Sequence, residues 1–202
     1  MYHHFFSNIL LKDTHWFFFI NSLRSPILNF LMPIVSNLKL VLPFLVIFLL
    51  WRLIVGNNNE RIMWIMLLIA IAISDSLCSH VIKPLVGRLR PYQVLDGVYL
   101  YKWHHWMITN KVLREHFSHS YSWPSCHATN IWTVTSFFLV RKFKVGIFLI
   151  PLAIAVCYSR IYLGVHYPLD VISGTIIGCI IGFSFGYLSL KIKFNRYQLT
   201  HK

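Results

Sequence analysis

Charged residues are scarce in this chain of 202 residues. Asp, Glu, Lys and Arg together make up 12% of it, about half of the usual share. Acidic residues are the scarcest: there are six, against 19 Lys and Arg, which leaves a formal net charge of +13. Because 56% of the residues are hydrophobic, so few charges could not cover a surface that faces water. The composition therefore predicts an integral membrane protein.

Cysteine is also rare, and its spacing argues against a zinc framework. Cys78, Cys126, Cys157 and Cys179 form neither a CxxC pair nor a Cys/His pattern of the zinc type. Three of them, Cys78, Cys157 and Cys179, lie in apolar segments and are expected to be packing residues. A disulfide among Cys78, Cys126 and Cys157 stays open, because these three fall at similar depths of the predicted spans.

The chain also lacks a basic helix and any recognisable nucleic-acid module, so its positive charge does not indicate nucleic-acid binding. Basic residues of a membrane protein instead set its topology from cytoplasmic loops or face anionic lipid headgroups and substrates. The first residues, MYHHFFSNILLKD, have neither the basic start nor the small-residue cleavage site of a signal peptide. No cleaved leader is therefore expected.

Long apolar runs predict an all-α, polytopic membrane helix bundle with five to six transmembrane helices, forming a single domain over residues 1–202. Crossing a bilayer takes about 20 apolar residues. Five runs qualify, two of them with help from their flanks: Leu38–Val55, Ile62–Ile82, Ala128–Val140, Val145–Tyr158 and Val171–Leu190. The stretch His15–Leu38 is apolar but interrupted by polar residues and proline. An N-terminal interfacial amphipathic helix is its preferred interpretation, and a sixth span is the alternative.

Lysine and arginine orient the predicted bundle. Three basic groups fall on one side of the alternating topology: Arg52 with Arg61, RKFK at 141–144, and a tail with Lys191, Lys193, Arg196 and Lys202. That side is predicted to be cytoplasmic. Segments 83–126 and 159–170 then share the opposite side. We therefore expect a multi-pass protein of the cytoplasmic (inner) membrane with these two segments facing the periplasm.

Glycines recur at every fourth position of the last predicted span: Gly174, Gly178, Gly182 and Gly186. Such a stripe lets two helices approach closely. Packing within the molecule is the preferred interpretation, and a dimer face is the alternative.

Three polar clusters fall at the outer ends of the predicted spans: KPLVGRLRP at 83–91, PSCH at 124–127 and SRIYLGVHYPLD at 159–170. Their residue types suit phosphate-ester cleavage, in which charge develops on three phosphoryl oxygens that must be positioned and stabilised. Arginine and lysine bind such oxygens, and Ser125 precedes a helix whose free N–H groups can hold an anion. His166 can attack phosphorus if Asp170 fixes its tautomer, and His127 can act as general acid and base.

In order and spacing, the clusters resemble the three signature motifs of the type 2 phosphatidic acid phosphatase superfamily, here K-x6-R-P, P-S-x-H and S-R-x5-H-x3-D. The resemblance implies that His166 is the nucleophile, that Asp170 orients it and that His127 is the general acid/base. It also implies a phosphate site formed by Lys83, Arg90, Ser125 and Arg160. Neither a metal nor a cofactor is expected.

Cys126 departs from that pattern, because the second motif of the family usually reads PSGH. Glycine there lets a backbone N–H approach the phosphate closely, whereas the Cβ of cysteine restricts the backbone. Geometry or rate is therefore expected to change. Activity is expected to survive, since every charged and nucleophilic position is kept, with Cys126 itself a bystander.

Two further charged residues lie near the clusters. Arg88 is off the defining positions of the first motif, so a headgroup contact and a solvated interface position fit it equally. Asp75 lies within a predicted span, where an ionisable group is a functional candidate. Pairing with a lysine or polar neighbour is preferred for Asp75 over a catalytic role.

The sequence thus predicts an integral-membrane phosphatase that removes phosphate from an anionic lipid headgroup through a phosphohistidine. Candidate substrates are a lipid A-type glycolipid, phosphatidylglycerophosphate and a polyprenyl diphosphate. The basic, aromatic loop at 99–123 favours the glycolipid, which Lys102, Lys111 and Arg114 could contact, although anchoring of the aromatic residues at the bilayer interface explains the loop equally well. A phosphotransferase with a lipid diphosphate donor and a non-catalytic lipid-binding or transport protein are the alternatives.

Overall fold

A computed structural model shows a mostly helical chain. It describes residues 2–192, with side chains for 8–37 and 43–192. The longer helices are α1 (Tyr2–Asn21), α2 (Pro26–Ser36), α3 (Leu38–Val55), α4 (Asn58–Ser76), α8 (Cys126–Arg141), α9 (Phe143–Tyr162) and α10 (Pro168–Lys191). Between α4 and α8 lie a π-helical turn (Leu77–Ile82), α5 (Lys83–Val86), α6 (Pro91–Val94), β1 (Tyr99–Lys102), β2 (His105–Ile108) and α7 (Lys111–Glu115). The basic tail residues Lys193, Arg196 and Lys202 lie outside the described residues.

Within residues 2–192, three continuous helices are long and apolar enough to cross a membrane: Asn58–Val86, Phe143–Tyr162 and Pro168–Lys191. Helix α8 has 16 residues, and α3 has 18. Both are therefore shorter than the ~20 residues that a straight crossing takes. The protein is a multi-pass membrane protein, and the count of five to six spans stays a prediction.

The stretch predicted as an interfacial helix folds as two helices. Residues Asn8–Asn21 and Pro26–Ser36 meet at an angle of 115°, with Ser25 capping α2 by accepting a hydrogen bond from Leu28 N at 3.2 Å. Together they could form at most one bent span or a re-entrant loop. The helix begins well before the predicted start at His15, because residues 2–14 are helical too.

Helices α8 and α10 pack along the glycine stripe. A Cβ built on Gly174 would lie 2.6 Å from the carbonyl oxygen of Ser125, and Cβ atoms on Gly178 and Gly182 would overlap the carbonyls of Thr129 and Thr133. Only glycine allows this close an approach of two backbones. The stripe therefore packs inside the molecule, which confirms the preferred interpretation.

The outer segment contains a β-hairpin, so the all-α prediction is wrong in this detail. Strands β1 and β2 pair antiparallel, with Tyr99 opposite Ile108. Trp103 and His104 form the turn, and their φ angles of 52° and 68° match the positive values of a type I′ turn. Each strand has only four residues, too few for a clear alternating pattern.

A polar clamp holds this hairpin against the outer ends of α1 and α9. Asn21, which is fully buried, donates from Nδ2 to the carbonyls of Tyr99 (2.9 Å) and Tyr162 (3.0 Å), and its Oδ1 accepts from Tyr99 N at 2.9 Å. Tyr101 N donates to Leu163 O at 3.2 Å. Arg24 stacks on the Trp106 ring at 3.7 Å. The clamp fixes where the loop after α9 leaves the helix.

Next to the clamp, a hydrophobic core joins the segment between α4 and α8 to helices α1, α8, α9 and α10. Its buried members are Phe17, Tyr92, Val98, Leu100, Phe117, Ala128, Ile161, Tyr167 and Val171. Full burial of a side chain such as Phe17 or Leu100 stabilises the fold by roughly 1.5–3 kcal/mol. The polar residues above this core are therefore held on a packed base.

Candidate active site

The π-helical turn Leu77–Ile82 directly precedes the first motif. A π turn adds a residue to the helix and is common at functional sites. In this protein the turn is followed directly by Lys83, the first residue of α5. Gly87, with φ at +64°, then closes α5 by donating from its N–H to Lys83 O at 3.0 Å. Since a left-handed residue is easiest for glycine, Gly87 turns the chain so that Arg88 and Arg90 follow Lys83 at the same end of the helices.

The second motif lies at the N-terminus of α8. Ser125 is the N-cap residue, and its side chain makes no capping hydrogen bond. Its Oγ is completely buried and has no hydrogen-bond partner among the described residues. Ser125 N donates to Asp170 O at 2.9 Å, which ties this helix start to the third motif. A buried hydroxyl without a partner beside free helix N–H groups is suited to an anion.

The third motif forms a buried histidine–carboxylate pair. His166 lies in the loop before α10, and Asp170 lies in its first turn. The Nδ1 of His166 is 3.5 Å from Oδ2 of Asp170, and both side chains are essentially inaccessible to solvent. Because Nδ1 faces the carboxylate, Nε2 is the nitrogen left for another reaction partner.

His166 is surrounded by positive charge. Burial lowers the pKa of His166 well below its usual 6.5, and the charges of Arg90, Arg160, Lys83 and His127 lower it further. The imidazole is therefore neutral at neutral pH, which leaves a lone pair for attack. Residues of all three motifs thus act electrostatically on His166, and the roles given to them from the sequence stay predictions.

Three of the converging cations have no carboxylate partner in residues 8–37 and 43–192: Lys83, Arg90 and Arg160 form none of the salt bridges there. The Nε atoms of Arg90 and Arg160 are also buried without hydrogen-bond partners. Buried cations are costly unless they are paired. A dianionic phosphate would supply the missing charge.

Several residues at the site carried no sequence signal. Ser122 donates to Asp170 Oδ2 through a short hydrogen bond, and Ser36, at the end of α2, accepts from Arg160 Nη1. Arg88 pairs with both Asp170 (2.8 Å) and Asp13 (2.7 Å). Both interpretations offered for Arg88, a headgroup contact and a solvated position, are therefore wrong.

Cys126 is joined by a disulfide to Cys78, with 5.7 Å between their Cα atoms and 48 residues between them in sequence. The expectation that Cys78 only packs, and that Cys126 is a bystander, is corrected by this bond. It links the π turn before Lys83 to the helix start that carries His127. Cys157 and Cys179 are free thiols.

Three further charged residues near the motifs, Asp75, Lys102 and Arg114, have partners within the chain, whereas Lys111 is exposed. Asp75 accepts from Asn130 Nδ2 at 2.8 Å, which confirms a polar neighbour. Lys102 lies over the Phe117 ring at 4.3 Å, and Arg114 pairs with Asp96 at 3.0 Å. Within the described part of the chain, no group of three His, Cys, Asp or Glu side chains could hold a metal ion.

This fold and site define a membrane-embedded phosphatase. The family model of the PAP2 superfamily matches residues 63–196, and the chain belongs to this family of phosphoric monoester hydrolases. Among its relatives is a lipid A 4′-phosphatase of Bacteroides thetaiotaomicron, 28% identical over an alignment of 189 positions that covers 89% of this chain and 78% of that protein.

Two crystal structures are similar over nearly their whole length. LpxE of Aquifex aeolicus superimposes with a TM-score of 0.61 at 27% identity, over 89% of this chain and 94% of that one. A PAP2-type phosphatidylglycerolphosphate phosphatase of Bacillus subtilis gives a TM-score of 0.67 at 25% identity, over 94% and 90%.

Proposed function

We propose that the protein removes a phosphate monoester from the headgroup of a lipid A-type glycolipid, through a phosphohistidine, at the outer face of the cytoplasmic membrane. One observation carries the mechanism. A buried His166–Asp170 pair faces three cations that have no carboxylate partner among the described residues. The whole activity is assigned to a single domain, residues 1–202.

Lys83, Arg90 and Arg160 would bind the three non-bridging oxygens of the phosphate. Their positive charges stabilise the negative charge on the phosphoryl oxygens as the lipid oxygen leaves. Ser125 would donate its unpartnered hydroxyl to the same group, together with N–H groups at the start of α8. Because these donors are held in place before substrate arrives, little reorganisation is needed during the reaction.

In the first step, the lone pair of His166 Nε2 forms a bond to phosphorus as the bond from phosphorus to the lipid oxygen breaks. The electron pair of that bond goes to the lipid oxygen, which takes a proton from the imidazolium form of His127. Burial and the neighbouring cations lower the pKa of His127 to about 3 in the free protein, and the negative charge of the bound phosphate would raise it again. Asp170, whose Oδ2 lies 3.5 Å from Nδ1, stabilises the positive charge on the phosphorylated imidazole. The products are a lipid alcohol and a phosphohistidine.

In the second step, water attacks the same phosphorus from the side that the lipid oxygen has left. Neutral His127 takes a proton from this water. The bond between phosphorus and Nε2 breaks, and its electron pair returns to His166. Inorganic phosphate leaves, and both histidines are restored to their starting protonation states.

The proposed orientation follows from charge. Arg52, Arg61, Arg141 and Lys191 lie at the helix ends away from the three motifs, and basic residues favour the cytoplasmic side. The motifs then face outwards, where the apolar elbow of α1 and α2 can lie in the interface. Exposed Leu11, Trp16, Ile27 and Phe30 on that elbow suit such a position.

The choice of a glycolipid is supported by the relative named lipid A 4′-phosphatase, which aligns with 89% of the chain. The aromatic and basic hairpin beside the site supports it further, since its exposed tip at Trp103 and His104 offers stacking and hydrogen bonding to sugars. Phosphatidylglycerophosphate is the second candidate, favoured by the TM-score of 0.67 with a phosphatase of that lipid.

A panel of lipids tests the substrate. Purified protein is incubated with a lipid A, phosphatidylglycerophosphate and undecaprenyl diphosphate, and free phosphate is measured. We expect the highest kcat/KM with lipid A, and an unchanged rate in EDTA because side chains meet every charge of the phosphate. A higher kcat/KM with either other lipid would overturn the substrate assignment. Label from a lipid diphosphate appearing on a lipid acceptor instead of as free phosphate would show phosphotransfer.

A further inference from the structure

Asp170 is held by a second layer of charge that no signature motif contains. Arg88 extends its guanidinium fork between two carboxylates: Nη1 donates to Asp170 Oδ1 at 2.8 Å, and Nη2 donates to Asp13 Oδ2 at 2.7 Å. The side chains of Asp13 and Asp170 are 1% and 0% exposed, and that of Arg88 is 18% exposed. This is a buried chain of three charges that ends at the carboxylate facing His166.

Asp13 is itself fixed from a second side. Its Oδ1 accepts from Leu169 N at 2.9 Å, so one carboxylate of α1 binds both Arg88 and the first turn of α10. The ring of Tyr167 lies under the Arg88 guanidinium at 3.8 Å. Burial raises the pKa of Tyr167 to about 12, so this ring stays a neutral phenol and adds no charge.

Arg88 also acts through its backbone. Its carbonyl accepts from Ser122 N at 2.6 Å, and Ser122 Oγ donates to Asp170. Tyr167 N donates to the same carboxylate at 2.8 Å. The orientation of Asp170 is therefore determined on every side, and two of its contacts depend on Arg88.

We propose that Asp13 and Arg88 are positioning residues for the phosphatase reaction, which set both the direction and the net negative charge of the Asp170 carboxylate that His166 uses. Arg88 alone would neutralise Asp170 and weaken it as a hydrogen-bond acceptor. Asp13 balances Arg88, so the chain of three charges keeps a net charge of −1 towards His166. Helix α1 is thereby part of the catalytic apparatus. This inference depends on the proposed role of His166.

This balance of charges predicts the direction in which each substitution shifts the pKa of His166. The groups that act on His166 are Lys83, Arg90 and His127 from the first two motifs and Arg160 from the third, with Asp170 and, behind it, Arg88 and Asp13. Removing the negative charge of Asp13 leaves more positive charge near His166 and lowers its pKa. Removing the positive charge of Arg88 raises it.

The test compares Asp13→Asn, Arg88→Gln and the double variant by the pH dependence of kcat/KM. Each single variant should lower kcat by about 10- to 100-fold, as expected for a misplaced catalytic group. The acid limb of the kcat/KM profile, where activity is lost as the pH falls, should move to lower pH in Asp13→Asn and to higher pH in Arg88→Gln. In the double variant, where both charges are gone, the limb should return towards the wild type. The substrate phosphate titrates in the same pH range, so its separately measured titration is divided out of every profile before the limbs are compared.

Two further variants complete the comparison. Arg88→Lys keeps the charge and loses the fork, so its limb should stay in place while kcat falls. Asp96→Asn breaks the exposed pair with Arg114 on the same side of the molecule, and it should change neither the rate nor the limb. Thermal unfolding in detergent establishes that each variant is folded.

Acid limbs that coincide with that of the wild type in both single variants would overturn the proposal, whatever happens to kcat, because a structural pair would not move them. Failure of both single variants to fold would overturn it too. His166→Ala is measured in parallel. If His166→Ala kept the wild-type rate, the proposed mechanism itself would be overturned. If His166→Ala were inactive and the acid limbs did not move, only the positioning role of Asp13 and Arg88 would be overturned.

Discussion

The end of this molecule that carries the three motifs and the helices that extend from it are held together by different kinds of interaction. At the motif end, side chains far apart in sequence are joined by hydrogen bonds and ion pairs, such as Asn21 with Tyr162 and Asp13 with Arg88. Along the helices, α8 and α10 meet through glycines pressed against carbonyl oxygens. The polar network fixes chemistry and the close packing fixes the fold, so substitutions in the two regions should fail in different ways.

The largest effect is expected in the packed helices. Gly182→Val would place two methyl groups against the Thr133 carbonyl, and α8 and α10 could not approach. We expect no folded protein in detergent extracts, judged by size-exclusion chromatography. Ile180→Val, on the exposed side of the same helix, is the matched control and should yield folded protein. Normal yield of Gly182→Val would contradict the packing account.

At the polar end, we expect a substitution to remove activity and to leave the protein folded. Arg90→Gln should lower kcat/KM by about 10²- to 10³-fold, because one charge that stabilises the transferred phosphoryl group is lost. The thermal midpoint should hardly change, since Arg90 has no carboxylate partner among the described residues. Arg61→Gln, whose guanidinium meets the Ile54 carbonyl at the other end, is the control. A drop in stability without loss of rate would reverse this assignment.

The disulfide joins the π turn of one helix to the start of another, and removing it sharpens the comparison. Cys78→Ser with Cys126→Gly should lower the free energy of unfolding by about 2–4 kcal/mol, measured by thermal or denaturant unfolding. The motif would then have its usual glycine, so we expect kcat to change only a few-fold. Cys157→Ser, which removes a free thiol, should have little effect on either quantity. Equal stability with and without the bond would show that it does not constrain the fold.

The smallest effect concerns pH. Because the pKa of His166 lies well below 6.5, its neutral form persists as the pH falls through 6.5, and protonation removes it only further down. The acid limb of kcat/KM that belongs to His166 should therefore lie below pH 6.5, measured with a substrate whose own titration is known. A limb at or above 6.5, with the substrate's contribution removed, would contradict the burial of this histidine.

Local patterns in the sequence were enough to predict a mostly helical membrane protein and the family to which it belongs. Apolar runs of about 20 residues and contiguous motifs at helix ends carry their signal over short stretches, and the roles of His166, Asp170 and the cations stay predictions. Asp13, Ser36 and Ser122 carry no such signal, since their partners lie 48 to 156 residues away in sequence. The disulfide of Cys126 and the hairpin were open or missed for the same reason, because each depends on how distant segments fold together.

The central claim, that His166 carries the phosphoryl group, can be tested directly. Wild-type protein is mixed with lipid substrate labelled in its phosphate and quenched in base within the first turnover, because phosphohistidine survives base and is lost in acid. The account predicts base-stable label on the peptide that contains His166, and none on His166→Ala. Label on another residue, or full activity with no label at any time, would contradict it.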